Sequence, residues 1–440
     1  MKRLLIILSI TLLCYSNTLT SQSYVGHALD NYAGIHAVSF NPSNVVGSKF
    51  KTDINLISGS ALVGSDYFGI DISTALKSDD GFDFDEDIKK FPKNDNNFFL
   101  NTDVLGPSFM FNLTPKSSIG IITRARAFFN LNNINGELYE NLADDFDTDN
   151  DFDFDSSNLS GTLHAWAEFG VAYGRILIDK PNHILKGGVT LKYLQGAGSL
   201  FISSPGLQGQ YTASSETLDT QGTLNYGTTQ DFDNDNINFD NLSAGYGADI
   251  GFTYEWHSER EDSLRVFQNQ YKLKVGVSLN DLGSISYKDS EVTTYDMNNS
   301  VSTSDYDDDT EEFLEDNYGS TQTTEKVKVK LPTALNLSVD YRLAKKWFVS
   351  AHASLSMTDK ESELSNSVLN TVTLAPRLET KWFSFYAPVS FREYGDVAFG
   401  GGFRLGPLTV GSGSVFSNLL TDSSKTTDVY LGLKIPIYRK

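Results

Sequence analysis

"DVYLGLKIPIY", residues 428–438, sorts its residues by parity: Val429, Leu431, Leu433, Ile435 and Ile437 share one face, while Tyr430, Gly432, Lys434 and Tyr438 share the other. A period of two is the signature of a β-strand with one apolar face. This run is also longer than the usual five or six residues of a soluble sheet. "GYGADIGFTYEW" (245–256) repeats the pattern, with Tyr246, Ala248, Ile250, Phe252, Tyr254 and Trp256 opposite Gly245, Gly247, Asp249, Gly251 and Thr253. "YKLKVGVSLND" (271–281) sets Leu273, Val275, Val277 and Leu279 against Lys272, Lys274, Gly276, Ser278 and Asn280. "LPTALNLSVDY" (331–341) sets Leu335, Leu337, Val339 and Tyr341 against Ala334, Asn336, Ser338 and Asp340.

Carried along the chain, this pattern predicts fourteen strands: 51–73, 103–114, 117–130, 160–177, 184–201, 242–256, 271–283, 327–341, 346–357, 368–379, 382–391, 396–405, 407–416 and 428–438. The first is read as one strand through Gly59. Connections alternate short and long, and the long ones are 74–102, 131–159, 202–241, 284–326, 358–367, 392–395 and 417–427. Long strands in even number, one face apolar, with long connections at one end, describe an all-β, fourteen-stranded antiparallel transmembrane β-barrel. Only a closed barrel lets strands cross lipid without unpaired backbone groups. Tyr193, Trp256, Tyr341, Trp347, Trp382, Tyr386 and Tyr438, near strand ends, suit interfacial girdles. The rival is an exported soluble β-sandwich, whose strands are shorter and whose loops need not segregate by charge.

The N-terminus agrees with export. Lys2 and Arg3 precede an apolar run, Leu4 to Leu13, and small polar residues follow, which reads as a signal peptide over 1–22. Cys14 is the single cysteine, and Leu13 stands where a lipoprotein signal needs a small residue. The mature chain is therefore expected to lack disulfides.

Net charge is −21, which argues against nucleic acid as a partner. Its distribution is uneven. Segments 78–97, 137–155, 203–241 and 284–325 hold 34 of the 56 acids and only 4 of the 35 basic residues, leaving the remainder at +9. All four fall in long connections, read as a solvated, repulsive surface. "DTDNDFDFD" puts Asp147, Asp149 and Asp151 at alternate positions, a candidate calcium cluster, although the glycine and glutamate of an EF-hand loop are missing.

Parity assigns Arg124, Arg126, Lys186, Lys192, Lys272, Lys274, Arg377, Arg404 and Lys434 to the lumen, with Lys326, Lys328 and Lys330 close to the long-loop mouth. Inward acids are fewer: Glu168, Asp249, Asp340 and Glu379. Two readings stay open: an anion-attracting lumen, or a ladder of ion pairs that fills and stiffens the barrel. His164 and His352 also point inward, but no serine–histidine–aspartate spacing accompanies them, so no enzyme activity is expected. "FGGGF" at 399–403 precedes no helix and is not a phosphate loop; no cofactor is expected.

Several stretches also resemble a known family. "FNPSN" (40–44) ahead of a long first strand, "GGVTLKYLQG" (187–196) and "VGVSLNDLGSISY" (275–287) look like the long-chain fatty-acid transporter (FadL-like) superfamily of outer-membrane barrels. "LGPSFMFNL", "LAPRLE" and "FYAPVSF…GGGFRLGPLTVGS" are closer to a Bacteroidota branch, akin to the barrel subunit of the type IX secretion system. The resemblance implies an N-terminal hatch in the lumen, here 23–48, with Asn41-Pro42 turning it toward a barrel over 49–440; Ser43 stands where alanine is usual. It implies an outer-membrane location with long loops outside and termini periplasmic, among lipid and lipopolysaccharide. Passage of a small hydrophobic compound, neutral or anionic, is the expected function. The alternative is a structural or secretion-accessory barrel that docks a cell-envelope protein through its loops.

Overall fold

The computed structural model describes residues 24–70, 88–229, 243–258, 271–304, 306, 310–421 and 423–439. The expected signal peptide 1–22, the acidic stretch 78–87 and the whole of "DFDNDNINFDN" (231–241) lie outside the described residues.

Fourteen wall strands form a ring. They are β1 Phe50–Ser65, β2 Asn96–Leu105 continuing as Ser108–Thr114, β3 Ser117–Ile134, β4 Asn158–Asp179 and β5 His183–Pro205. Next come β6, in two pieces (Thr223–Thr228 and Ser243–Trp256), β7 Leu273–Asp296, β8, again in two (Gly319–Lys330 and Ala334–Arg342), β9 Trp347–Ser356 and β10 Thr371–Glu379. The last are β11 (Phe383–Tyr386, Val389–Arg392), β12 (Asp396–Phe399, Gly401–Leu405), β13 Leu408–Ser412 and β14 Thr426–Tyr438. Each pairs antiparallel with its sequence neighbour, and β1 closes on β14 from Phe50↔Tyr438 to Gly64↔Thr426. No edge is left between β1 and β14, which is what lipid demands.

The outer face is apolar. Phe169, Val171 and Tyr173 on β4, Val275 and Val277 on β7, and Val429, Leu431, Leu433, Ile435 and Ile437 on β14 are all exposed. Among the aromatics assigned to the girdles, Tyr193, Trp256, Tyr341, Trp347 and Trp382 are exposed, but Tyr386 is fully buried and points into the lumen.

Strand limits shifted in the long-connection half. β1 runs unbroken through Gly59 but ends at Ser65, and Phe68–Ile70 pairs with Ile88–Lys90 in a separate hairpin. β3, β4, β5 and β7 extend well past the alternating apolar stretch, because beyond the lipid the outward face no longer needs apolar residues.

The acidic connections are not merely a solvated surface. Strands Phe152–Asp155, Gln208–Thr212, Thr217–Gln221 and Asn299–Ser302, from three of them, form a four-stranded sheet that caps the barrel. Tyr211, Leu218, Phe154, Phe146, Tyr295, Met297 and Val301 bury themselves beneath it. The acids in these runs alternate with aromatics, so a strand can send Phe154 inward while Asp153 and Asp155 stay in water.

Candidate functional site

Residues 24–48 lie inside the ring, against the half nearer the short connections. A helix, Ile35–Phe40, ends where Asn41 turns extended, and Pro42 opens a 3-10 turn to Val45. The Asn41 Oδ1 accepts from the Ser43 N–H (3.0 Å) and hydroxyl (2.6 Å). Its Nδ2 donates to the carbonyls of Phe252 and Val277, both at 3.1 Å, which face each other across β6 and β7. Such close approach needs glycine in the wall. A Cβ on Gly188 would lie 2.4 Å from the Pro42 carbonyl carbon, and one on Gly251 would lie 2.3 Å from Asn41 Oδ1. The Asn-Pro corner is therefore a docking point against the wall as well as a turn. The Ser43 hydroxyl meets that of Thr253 at 2.7 Å, and Ser278 donates to the Phe40 carbonyl at 2.8 Å.

Charged side chains of the wall hold the rest of this segment. Asp30, 3% exposed, accepts from the Tyr386 hydroxyl at 2.5 Å and from Arg404 Nε at 3.1 Å. Lys434 donates to the carbonyls of Tyr32 (2.6 Å) and Ala33 (3.0 Å) and lies 3.4 Å from Asp53. Asn31 donates to Glu379, itself 2.8 Å from Arg377 Nε. The His36 Nε2 meets Ser58 Oγ at 2.9 Å, and His27 Nδ1 meets the Tyr386 hydroxyl at 3.2 Å.

Toward the long connections follows a buried ion-pair tier. Arg126 pairs with Asp281 (2.8 Å) and Glu168 (3.1 Å), and Lys192 with Asp281 (2.5 Å) and Asp249 (2.8 Å). Arg124 binds Asp103. Elsewhere in the wall Lys186 meets Glu255 at 2.6 Å, Arg377 meets Asp340 at 2.9 Å, Lys274 lies 3.9 Å from Asp340, and Arg392 binds Asp428.

Of the two readings left open for the lumen, these contacts favour the ladder of ion pairs over an anion-attracting lumen. Each of those lumen cations has a carboxylate, several from residues that parity counting missed. Asp30 arrives from the N-terminal segment, a non-local contact. Asp281 has a left-handed φ of 59°, and at its level β6 and β7 slip register, so inward residues change from even to odd along β7. The same inversion corrects Lys326, Lys328 and Lys330. The break at Leu331–Thr333 turns Val327 and Val329 inward, and all three lysines are exposed outside. Lys272 also leaves the lumen set: its ammonium donates to the Arg342 carbonyl at 2.9 Å and rests on the outward Tyr341 ring.

Beyond the ion pairs the lumen turns apolar. Phe128, Trp166, Leu194, Phe99, Ile285 and Val329 form one buried cluster, and the Arg126 guanidinium lies 4.9 Å above the Phe128 ring. The 357–370 connection folds back over it: Leu369 joins the cluster, and Asn366 donates to Asn130 (3.0 Å) and the Thr162 carbonyl (2.8 Å). Two cavities of about 50 and 80 Å3, lined mainly by polar side chains, flank the N-terminal segment. Nothing in the sequence pattern marks 357–370 as an inward-folded plug, since its contacts are set by β3 and β4. The candidate calcium cluster Asp147, Asp149 and Asp151 lies in the 137–155 connection. Asp151 accepts from the Ala213 N–H at 2.9 Å, and no three metal-ligating groups converge among the described residues.

The segment should respond to acid. Burial, reinforced by the Lys434 ammonium, lowers His36 to about 3, and burial beside His36 lowers His27 well below its usual value. Both imidazoles stay neutral in place but bind protons near 6.5 when released. Their contribution is complete above pH 6.5 and is lost as pH falls from there toward 3. Protection factors across 24–48, taken relative to intrinsic amide exchange at each pH, are expected to fall over that window; protection independent of pH would refute the assignment.

A family model described as "Family of unknown function (DUF5723)" matches residues 42–413. The chain belongs to that family. The match begins at the docked Pro42 and takes in the ion-pair tier, the apolar cluster and the cap. No protein of curated function matches the chain. Among solved structures, the Pseudomonas aeruginosa FadL homologue is 9% identical at TM-score 0.44, over 95% of this chain and 98% of that one. The P. putida toluene transporter TodX is 8% identical at TM-score 0.44, over 93% and 95%. The translocator domain of the autotransporter NalP from Neisseria meningitidis is 9% identical at TM-score 0.31, over 89% and 88%. The DUF5723 chain's own closed strand order establishes its barrel.

Proposed function

We propose that this DUF5723 protein sits in an outer membrane, among lipid and lipopolysaccharide, with its long connections outside and its termini in the periplasm. There it admits a small hydrophobic compound when residues 24–48 shift in the lumen. The luminal cluster around Trp166, Phe128 and Leu194 supports this reading, because a water-filled channel would be lined by polar groups. An anionic ligand is disfavoured, since the lumen cations already hold carboxylates.

The test is a staple. Ser43 and Thr253 touch through their hydroxyls at 2.7 Å, so Ser43→Cys with Thr253→Cys places two thiols together in a chain whose sole cysteine is Cys14. Cells carrying this variant are given radiolabelled toluene and palmitate. Uptake of one probe is expected to fall at least tenfold when the pair is oxidised and to recover on reduction. Equal uptake in both states would remove the gate.

A second reading is favoured by the filling of the lumen by residues 24–48 and by the 357–370 connection: a non-transporting structural or secretion-accessory barrel that docks an envelope protein through its cap. It predicts no uptake above cells lacking the protein, oxidised or reduced.

A further inference from the structure

The cap sheet carries an open groove of about 570 Å3, within the roughly 300–1,000 Å3 of ligand clefts. It lies over the face opposite the buried aromatics, and its floor is two rows of side chains. In the first, Gln221 donates to Gln208 and Gln208 donates to Asp155, so the row is already oriented. In the second, Gln210 stands directly opposite Asp153 on one neighbouring strand and Asp219 on the other, with side chains about 5 Å apart. The side chains of these three have no hydrogen-bond partner among the described residues. No lysine or arginine among the described residues lines the groove.

Asn135 provides an independent sign. It is only 2% exposed, its Oδ1 caps the helix Gly136–Ala143 by accepting from the Leu138 N–H at 3.0 Å, and its Nδ2, without a partner, lines the groove. That Nδ2 is not sealed from solvent, so it stands as a donor open to an acceptor from outside.

We propose that this groove binds a neutral saccharide. Carboxylates accept strongly from hydroxyls. Glutamine and asparagine both donate and accept, matching vicinal hydroxyls that do the same. Polyamines would use the carboxylates and leave the amides unsatisfied, while uronic-acid and sialylated chains would meet three carboxylates with no cation. Phe154 and Tyr211 pack beneath the sheet, so the floor is rigid and little ordering is needed on binding. The proposal is independent of passage through the lumen.

The test uses the full chain in lauryldimethylamine oxide, a detergent without sugar, on a glycan array, followed by titration of the best neutral binder with cellotriose, maltotriose and chitotriose as reference probes. Binding is expected to at least one neutral glycan and to none of the acidic ones. Gln210→Ala and Asp153→Ala, both on the surface, are each expected to weaken it at least tenfold, while Glu315→Gln, on the helix Thr310–Asn317 and outside the groove lining, leaves it unchanged. Retained heat-modifiable migration on gels shows that each variant is folded. No neutral glycan bound, binding that survives both variants, or spermidine bound in place of sugars would each overturn the proposal.

Discussion

Asp30→Ala is expected to free residues 24–48 from the lumen while leaving the wall closed. The substitution strands Arg404, fully buried and otherwise bonded to the Thr380 and Lys381 carbonyls and Ser384, without a counter-charge. Breaking a buried pair from one side costs roughly 3–5 kcal/mol. That energy is recovered if the segment leaves and water reaches the guanidinium. Hydrogen exchange over 24–48 should therefore accelerate by about two to three orders of magnitude, at 1.4 kcal/mol per decade. The β1–β14 seam should keep its protection, because its ladder from Phe50↔Tyr438 to Gly64↔Thr426 is independent of Asp30. Asp30→Leu with Arg404→Leu should restore most of the protection, since no charge is left uncompensated. Wild-type exchange in Asp30→Ala would show that the pair does not hold the segment.

Tyr211→Ala is expected to unfold the cap and spare the barrel. Tyr211 is 1% exposed, with its ring 5.3 Å from Phe146 and 5.4 Å from Phe152. Truncating a buried aromatic costs about 3–5 kcal/mol. The cap has few strands over which to spread that loss: four, of four or five residues each. Its apolar cluster is also separate from the luminal one. Protease should cut within 137–155 and 208–221 in the variant and not in the parent, while the resistant core keeps its heat-modifiable migration. Simultaneous loss of both would show that cap and wall fold as one unit.

Much of the wall was legible because β-periodicity is local: each residue announces its face by the identity of those two places away. Val429 to Ile437 point outward as their alternation requires, and the number of wall strands and the order of short and long connections follow from the same signal. Tertiary structure alone decided the lumen. Asp30 meets Arg404 across 374 positions, and Asn366 meets Asn130 across 236, and no spacing rule reaches that far. The left-handed Asp281 and the break at Leu331–Thr333 each invert parity beyond them, which turned Lys326, Lys328 and Lys330 out of the barrel. In the acidic connections the alternation of Asp with Phe was visible, but the core it builds draws on three separate segments. The sequence by itself determined which face of each strand meets lipid, because a continuous apolar solvent imposes one rule on every strand. Only the tertiary structure decided what fills the lumen and what covers its mouth, because there each side chain answers to partners hundreds of residues away.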